Sequence, residues 1–207
     1  MKLEKLAPKP NRAGQYLVKL EDGTALRLYR QTVEDFGLYP GMELTEQELE
    51  ALTEAAGEMS AKMRAVRIVA ATSVSRDDLR QRLISKGEKP AQADRAVEWM
   101  EDLKLVDDEE TARQIVSRCI AKGYGIARAK QALYEKRIPK SYWEAALADY
   151  PDQIESVITF LRQRLGADAD QRERKRAIDA LLRRGHSYGT IRQAMSHLDM
   201  DDEFPEE

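Results

Sequence analysis

The side chains that most often carry out catalysis or bind metals are few in this chain, and they form no recognisable site. Its two histidines, His186 and His197, are eleven residues apart and have no nearby cysteine or carboxylate at ligand spacing. This pattern favours loop and surface histidines over a metal site. The one cysteine, Cys119, falls on the apolar side of a predicted helix, where a small buried hydrophobe is expected. We therefore expect no enzyme, no metal and no cofactor.

Lysine and arginine supply the remaining chemistry, because their side chains can contact phosphates or an acidic protein surface. The net charge of the 207 residues is −3, yet residues 122–192 hold fifteen Lys and Arg against nine Asp and Glu. Residues 199–207 hold six acids and no base, which predicts a disordered acidic tail. For any single cation, an ordinary solvated helix face remains the alternative. The basic residues form a larger cluster (Arg162, Arg164, Arg172, Arg174, Lys175, Arg176, Arg183, Arg184, Arg192) and a weaker one (Lys122, Arg128, Lys130).

The elements that carry these cations recur along the chain. Three segments, starting at Leu79, Ala129 and Ala177, align without gaps as a helix, a short break and a second helix. The offsets between copies are 50 and 48 residues, a period typical of stacked helical repeats. The matched break residues are Gly87, Arg137 and Gly185. A glycine after basic residues ends a helix, because glycine adopts the left-handed conformation at little cost.

The pattern predicts a mainly α fold of tandem three-helix repeats that form an elongated, curved array. The expected divisions are an N-terminal extension over 1–60, repeats over 61–121, 122–166 and 167–198, and the tail over 199–207. The last repeat has room for only two helices in this division.

The N-terminal extension has its own signals. Glu21-Asp-Gly-Thr24 separates two alternating segments and predicts a β-hairpin. Thr45 with Glu48 is a capping box that begins a helix. No apolar run approaches the ~20 residues that a membrane span needs, so we expect a cytoplasmic protein without membrane contact.

Several short motifs resemble the RecX regulatory proteins of bacterial homologous recombination. The resemblance covers residues 60–198, and it rests on the order and spacing of its motifs. Two departures are Val106, where the family pattern has leucine, and Arg137, where glycine is common. The motifs are Ser75-Arg-Asp-Asp-Leu79 before Lys86-Gly87, Leu105-Val-Asp-Asp108 before Ala112, Lys122-Gly-Tyr-Gly125 before Ala129-Lys-Gln-Ala-Leu133, and Leu181-Leu-Arg-Arg-Gly-His-Ser-Tyr188 before Ile191-Arg192.

The resemblance implies a non-enzymatic modulator that binds the RecA recombinase and its filament on single-stranded DNA. Such a protein inhibits ATPase, strand exchange and coprotease activities and so modulates DNA repair and the SOS response. We expect a monomer, because no heptad stripe favours a dimer, with weak direct DNA contact at most. The residues predicted to face the filament are Arg174, Lys175, Arg176, Arg183, Arg184 and Arg192, extended by Lys122, Arg128 and Lys130.

Two alternatives remain open from the residues themselves. Two helices joined at Gly185 also describe a helix-turn-helix, which would make the chain a direct DNA-binding protein. The helix after Gly185 offers only Arg192 and two polar residues, which disfavours sequence-specific readout. The second alternative is a general helical-repeat scaffold for another acidic partner.

Overall fold

A computed structural model describes residues 1–166 and 169–198, so the predicted acidic tail lies outside the described residues. The described chain is mainly helical with a small N-terminal sheet, which confirms the predicted fold class. The strands are β1 (Leu3–Leu6), β2 (Gln15–Leu20) and β3 (Ala25–Tyr29). The helices are α1 (Arg30–Asp35), α2 (Glu46–Ala71), α3 (Arg76–Ser85), α4 (Pro90–Asp102), α5 (Asp108–Ala121), α6 (Ile126–Glu135), α7 (Trp143–Leu147), α8 (Ile154–Arg164), α9 (Gln171–Arg183) and α10 (Tyr188–Ser196).

The N-terminal sheet is antiparallel with strand order β1-β2-β3. Its β2–β3 hairpin is the predicted one, and Gly23 in the turn has a φ of +84°. Strand β1, which was not predicted, pairs with β2 and gives the hairpin a third strand. Leu3, Val18 and Leu28 are buried against Leu52 of α2. The sheet is therefore stabilised by a helix, as two or three short strands require.

Helix α2 runs through residue 60 without a break and serves two cores. It begins at the predicted capping box, in which the Thr45 hydroxyl accepts from the Glu48 amide and the Glu48 carboxylate accepts from the Thr45 amide. Its first half packs under the sheet, and its second half packs against α3 and α4. Gly57 lies where α4 approaches closely, because a Cβ there would be 2.1 Å from Gln92 Nε2.

Three apolar clusters group the helices in threes. The first joins the end of α2 with α3 and α4, the second joins α5, α6 and α7, and the third joins α8, α9 and α10. These groups differ from the predicted divisions at 121 and 166, because α5 packs with the helices after it and α8 packs with α9 and α10. The last repeat therefore contains three helices, where the sequence analysis expected two.

The break between the paired helices has the same conformation in each repeat. The residues with a left-handed backbone are Gly87, Arg137 and Gly185, with φ of +93°, +55° and +85°. The carbonyls of Leu83, Leu133 and Leu181 accept hydrogen bonds from the amides of Glu88, Ile138 and His186, at 3.1, 3.0 and 3.2 Å. This bonding pattern is the Schellman motif, which satisfies carbonyls left open at a helix end. The gapless alignment of the three copies is thus correct at the level of single hydrogen bonds.

By internal contacts the chain divides into two compact units, the first spanning Met1–Val106 and the second beginning at Asp107. The first unit holds the sheet and the first repeat. The second unit holds the other two repeats. Within the described ranges, every helix is too short or too polar to span a lipid bilayer.

Candidate functional site

Helix α9 presents a row of cations to solvent because its ends and its apolar side are fixed. Asp170 caps the helix in a second capping box, exchanging hydrogen bonds with Glu173. Ala177, Ile178 and Leu181 are buried against the other helices of the third repeat. The remaining faces of α9 are left to polar side chains.

Four cations lie on the outward face of α9: Arg172, Lys175, Arg176 and Arg183. We call them the α9 stripe. All four are exposed, and within the described part of the chain none forms an ion pair. Asp179 is also exposed and falls on the same face, at helical spacing from Lys175, Arg176 and Arg183. The stripe is therefore a cationic surface with one carboxylate in its middle.

Two predicted contact residues of this helix region make internal interactions instead. Arg174 is half-buried, and its Nε donates to the carbonyl of Ala169 at 3.2 Å. Arg184 places its guanidinium 4.6 Å from the centre of the Phe160 ring. Arg164 approaches the same ring at 5.4 Å. Arg174 and Arg184 thus contribute to the packing of the third repeat, and the outward stripe is narrower than the predicted cluster.

Phe160 was missed by the sequence analysis, and nothing in its spacing indicates its role. It lies on α8, half-buried beside the third cluster, and it becomes notable only because two arginines converge on it. Cation–π contacts of this kind stabilise by about 0.5–1 kcal/mol at exposed sites. Arg164 and Arg176 also line one shallow pocket together with Glu173.

The weaker predicted cluster lies around the start of α6. Lys122 is exposed at the end of α5, with its Nζ 6.0 Å from the centre of the Tyr124 ring. Arg128 is half-buried and pairs with Glu135 at 3.2 Å. Lys130 is exposed. The last predicted contact residue, Arg192, is exposed on α10.

The two clusters meet where α9 ends against the start of α6. The amide of Gly125 donates to the carbonyl of Arg184 at 2.9 Å. A Cβ on Gly125 would lie 2.0 Å from the Gly185 oxygen, and one on Gly185 would lie 2.4 Å from the Arg128 nitrogen. Arg128 is consequently adjacent to the end of α9.

His186 lies beside this contact. It is buried, although a loop or surface position was expected. Its side chain is 4% exposed, and its Nε2 lies 3.1 Å from the Gly123 carbonyl oxygen. Because a carbonyl only accepts, Nε2 carries the proton, and the buried Nδ1 has no partner among the described residues. Burial lowers the pKa of His186, and the nearby Arg184 lowers it further. His197, in contrast, is exposed.

The other reactive groups of the second unit are also held in structural positions. Cys119 is buried as expected, and burial raises the pKa of its thiol. The Tyr150 hydroxyl donates to the Tyr124 carbonyl at 2.7 Å, and burial raises the pKa of Tyr150 to about 12. Because its pKa is raised, the Cys119 thiol is less often present as the thiolate, which is the nucleophilic form. Across the described residues, no cluster of three His, Cys, Asp or Glu is placed to hold a metal ion.

The fold and the surface together define a class: a tandem three-helix repeat protein that carries a cationic face on its last repeat. Comparison with known proteins narrows this class. The family model described as "RecX, second three-helix domain" matches residues 107–147, which are α5 to α7. This range agrees with the second apolar cluster.

Curated relatives and solved structures carry the same family name. Regulatory protein RecX of Vibrio campbellii is 28% identical over 146 residues, 69% of this chain and 94% of the relative. Regulatory protein RecX of Clostridioides difficile is 24% identical over 195 residues, 90% of this chain and 91% of the relative. A crystal structure of regulatory protein RecX matches with a TM-score of 0.65 at 19% identity, over 94% of this chain and 98% of that one. RecX from Lactobacillus salivarius gives 0.61 at 22% identity, over 70% and 99%. The chain is therefore similar to RecX regulatory proteins in sequence and in fold.

Proposed function

We propose that this chain regulates the RecA recombinase by binding RecA and its filament on single-stranded DNA. The similarity to RecX regulatory proteins, a family that implies RecA regulation, supports the identity of the partner. The proposed consequences are inhibition of the ATPase, strand-exchange and coprotease activities in the bacterial cytoplasm. The protein acts as a monomer without a cofactor of its own.

The observation that carries the proposal to a surface is the unpaired α9 stripe. A nucleoprotein filament presents phosphates and acidic side chains, both of which attract exposed guanidinium and ammonium groups. Cations already paired to carboxylates are less available, because binding must first break the internal pair. The α9 stripe has no internal pair to break in the described chain, and Lys122 and Lys130 extend it as exposed cations.

The charge balance favours a filament over naked DNA as the main target. A protein that relied on DNA phosphates alone would usually carry a larger basic excess than this chain, whose net charge is −3. Asp179 within the stripe further reduces the local positive charge. We therefore propose that direct DNA contact is weak, and that recombinase side chains supply the rest of the interface.

The test is the single-stranded-DNA-dependent ATPase of the cognate recombinase, with this protein titrated at substoichiometric amounts. Inhibition far below one protein per recombinase subunit is the expected result. An unchanged ATPase rate at excess protein would contradict the proposal.

A salt titration of binding to DNA alone, recombinase alone and the filament separates the alternatives. A direct DNA-binding protein should bind DNA alone, with an affinity that falls steeply with salt as counterions compete. A scaffold for another acidic partner should bind none of the three. The proposed regulator should bind the filament more tightly than either component.

A further inference from the structure

Gly125 and Gly185 make a direct backbone contact between the second and third repeats, which we call the Gly125–Gly185 joint. The contact leaves no room for a side chain on either residue, because an added Cβ would lie 2.0 Å and 2.4 Å from backbone atoms of the other repeat. Real Cβ atoms do not approach backbone atoms so closely. One hydrogen bond, from the Gly125 amide to the Arg184 carbonyl at 2.9 Å, joins the two chain segments.

Backbone conformation alone does not explain why either residue is glycine. Gly125 has a φ of −76°, which any residue adopts. Gly185 has a φ of +85°, but the matching residue of the second repeat is Arg137, which adopts +55° with a full side chain. The close approach of the two repeats is therefore the physical reason for glycine at 125, and it adds to the conformational reason at 185.

The joint sets two helices end to end. Gly125 is the N-cap of α6, so its amide belongs to the positive end of that helix, and the Arg184 carbonyl belongs to the negative end of α9. The hydrogen bond thus joins the positive end of one helix to the negative end of the other, which is electrostatically favourable. His186 adds a second bond across the same contact, from its Nε2 to the Gly123 carbonyl.

The joint also determines where the two groups of cations lie. Arg128 lies on α6, and its backbone contacts Gly185. Arg183 lies on α9, two residues before Gly185. Any rotation of the third repeat against the second would move the α9 stripe away from Lys122, Arg128 and Lys130. A binding partner with regularly spaced charges can engage both groups only at one separation.

We propose that Gly125 and Gly185 are positioning residues that hold the two cationic groups in register as one binding surface. The joint touches no partner itself and acts through the placement of the cations. This inference rests on the proposed filament binding for its functional readout, but it makes a structural prediction that is independent of the partner.

The test compares Gly125→Ala with Gly166→Ala as the matched control. Gly166 belongs to the same unit, and a Cβ there would meet nothing within 4 Å. Both variants are assayed for ATPase inhibition well below their unfolding midpoints, where a change in stability alone has no effect. We expect Gly125→Ala to need about tenfold more protein for half-maximal inhibition. Gly166→Ala should match the parent chain.

A distance measurement reads the joint without any recombinase. Spin labels at Gln131→Cys on α6 and Gln171→Cys on α9, with Cys119→Ala, should give a narrow distance distribution. Gly125→Ala should shift or broaden it, and Gly166→Ala should not. The inference is overturned if Gly125→Ala keeps either the parent distance or the parent inhibition. If the parent chain does not inhibit at all, the proposed function fails and the distances alone decide the joint.

A second variant keeps the test open if Gly125→Ala does not fold. Gly185→Arg introduces the residue that the second repeat carries at the matching turn, so its backbone conformation has a precedent in this chain. It also adds a positive charge. Weaker inhibition by this variant would therefore reflect a displaced surface, whereas parent-like or stronger inhibition would overturn the inference.

Discussion

The first and third repeats share one architecture but use their arginines differently. In the first repeat, arginines pair with carboxylates of other elements: Arg64 with Glu88 of the α3–α4 turn at 2.6 Å, Arg76 with Glu101 at 2.9 Å, and Arg95 with Glu54 and Glu58. In the third repeat, the cations of the α9 stripe face solvent and form no ion pair within the described chain.

This difference separates charges that hold the fold from charges that are available to a partner. In the first repeat, hydrogen bonding to Arg95 lowers the pKa of Glu54, and Asp94 raises the pKa of Arg80. Most of these pairs are exposed, so solvent screens each one and its contribution to stability is small. Together they tie α4 to α2 and α3. The third repeat packs through an apolar cluster, and the cations of its α9 stripe form no ion pair within the described residues.

The residue after the left-handed turn shows the contrast most clearly. It is buried in all three repeats, as Glu88, Ile138 and His186, and its amide makes the same hydrogen bond. Glu88 accepts hydrogen bonds from Ser60 and Arg64 of α2, Ile138 joins an apolar cluster, and His186 bonds to a backbone carbonyl. The same position is thus occupied by an ion-paired, an apolar and a neutral polar side chain.

Removal of the ion-paired side chain, Glu88, should have the largest effect on stability. Glu88→Ala leaves Arg64 and Ser60 without their acceptor, so we expect the first unit to lose about 2 kcal/mol of unfolding free energy. Glu88→Gln keeps an acceptor and should cost about half as much. Urea denaturation measures both. An Ala variant as stable as the parent chain would show that this pair contributes nothing to the fold.

Charge reversal in the third repeat should have the opposite profile. Arg176→Glu with Arg183→Glu should raise the half-inhibitory concentration in the recombinase ATPase assay by about tenfold, or about 1.4 kcal/mol. The unfolding free energy should change by less than about 0.5 kcal/mol, because both side chains are exposed surface positions.

Lys5→Glu with Lys19→Glu provides a control with the same change in net charge. These two lysines are exposed partners on the N-terminal sheet. The control should inhibit like the parent chain. Equal losses in both double variants would indicate a general charge effect and would remove the α9 stripe from the proposed interface.

The structural features that depend on repeated sequence patterns were predicted correctly. The matched break residues and the capping box were identifiable because each depends on a few neighbouring residues, and the backbone is left-handed even at Arg137. The grouping of helices was not predicted correctly. The sequence places α5 equally near the helices before and after it, and only packing shows that it belongs with α6 and α7.

The candidate surface was predicted as a cluster but not in its details. The sequence grouped Arg172, Arg176 and Arg183 in one larger basic cluster. Spacing along one helix could not show that Arg184 stacks on Phe160, because Phe160 lies on a different helix, α8. The buried state of His186 was missed for the same reason, since its partner is the Gly123 carbonyl 63 residues away.

The buried, neutral side chain of His186 predicts that the stability of the second unit depends on pH. Burial lowers its pKa in the folded state, so between that value and about 6.5 the unfolded chain binds more protons. Stability should therefore be complete above about pH 6.5 and fall as the pH decreases, by at most about 1.4 kcal/mol per pH unit.

His186→Gln isolates this contribution. The glutamine amide can still donate to Gly123, but it does not titrate. Urea midpoints measured from about pH 7 to about pH 5 should fall less steeply for this variant than for the parent chain. His197→Gln, at an exposed position, serves as the matched control substitution. Equal slopes for the parent chain and His186→Gln would show that His186 does not contribute to the acid sensitivity.

The smallest expected effect concerns the carboxylate within the α9 stripe. Asp179→Asn removes one negative charge without changing the size of the side chain, so the stripe should attract an anionic surface more strongly. A single exposed charge is screened, and we expect inhibition to improve by only about two- to threefold, with the gain lost at high salt. Asp149→Asn, exposed elsewhere in the same unit, controls for net charge. If the two variants improve inhibition equally, the local position of the charge does not matter. If only Asp179→Asn does so, the partner reads the stripe itself, and the contrast between paired and unpaired arginines extends to a single carboxylate.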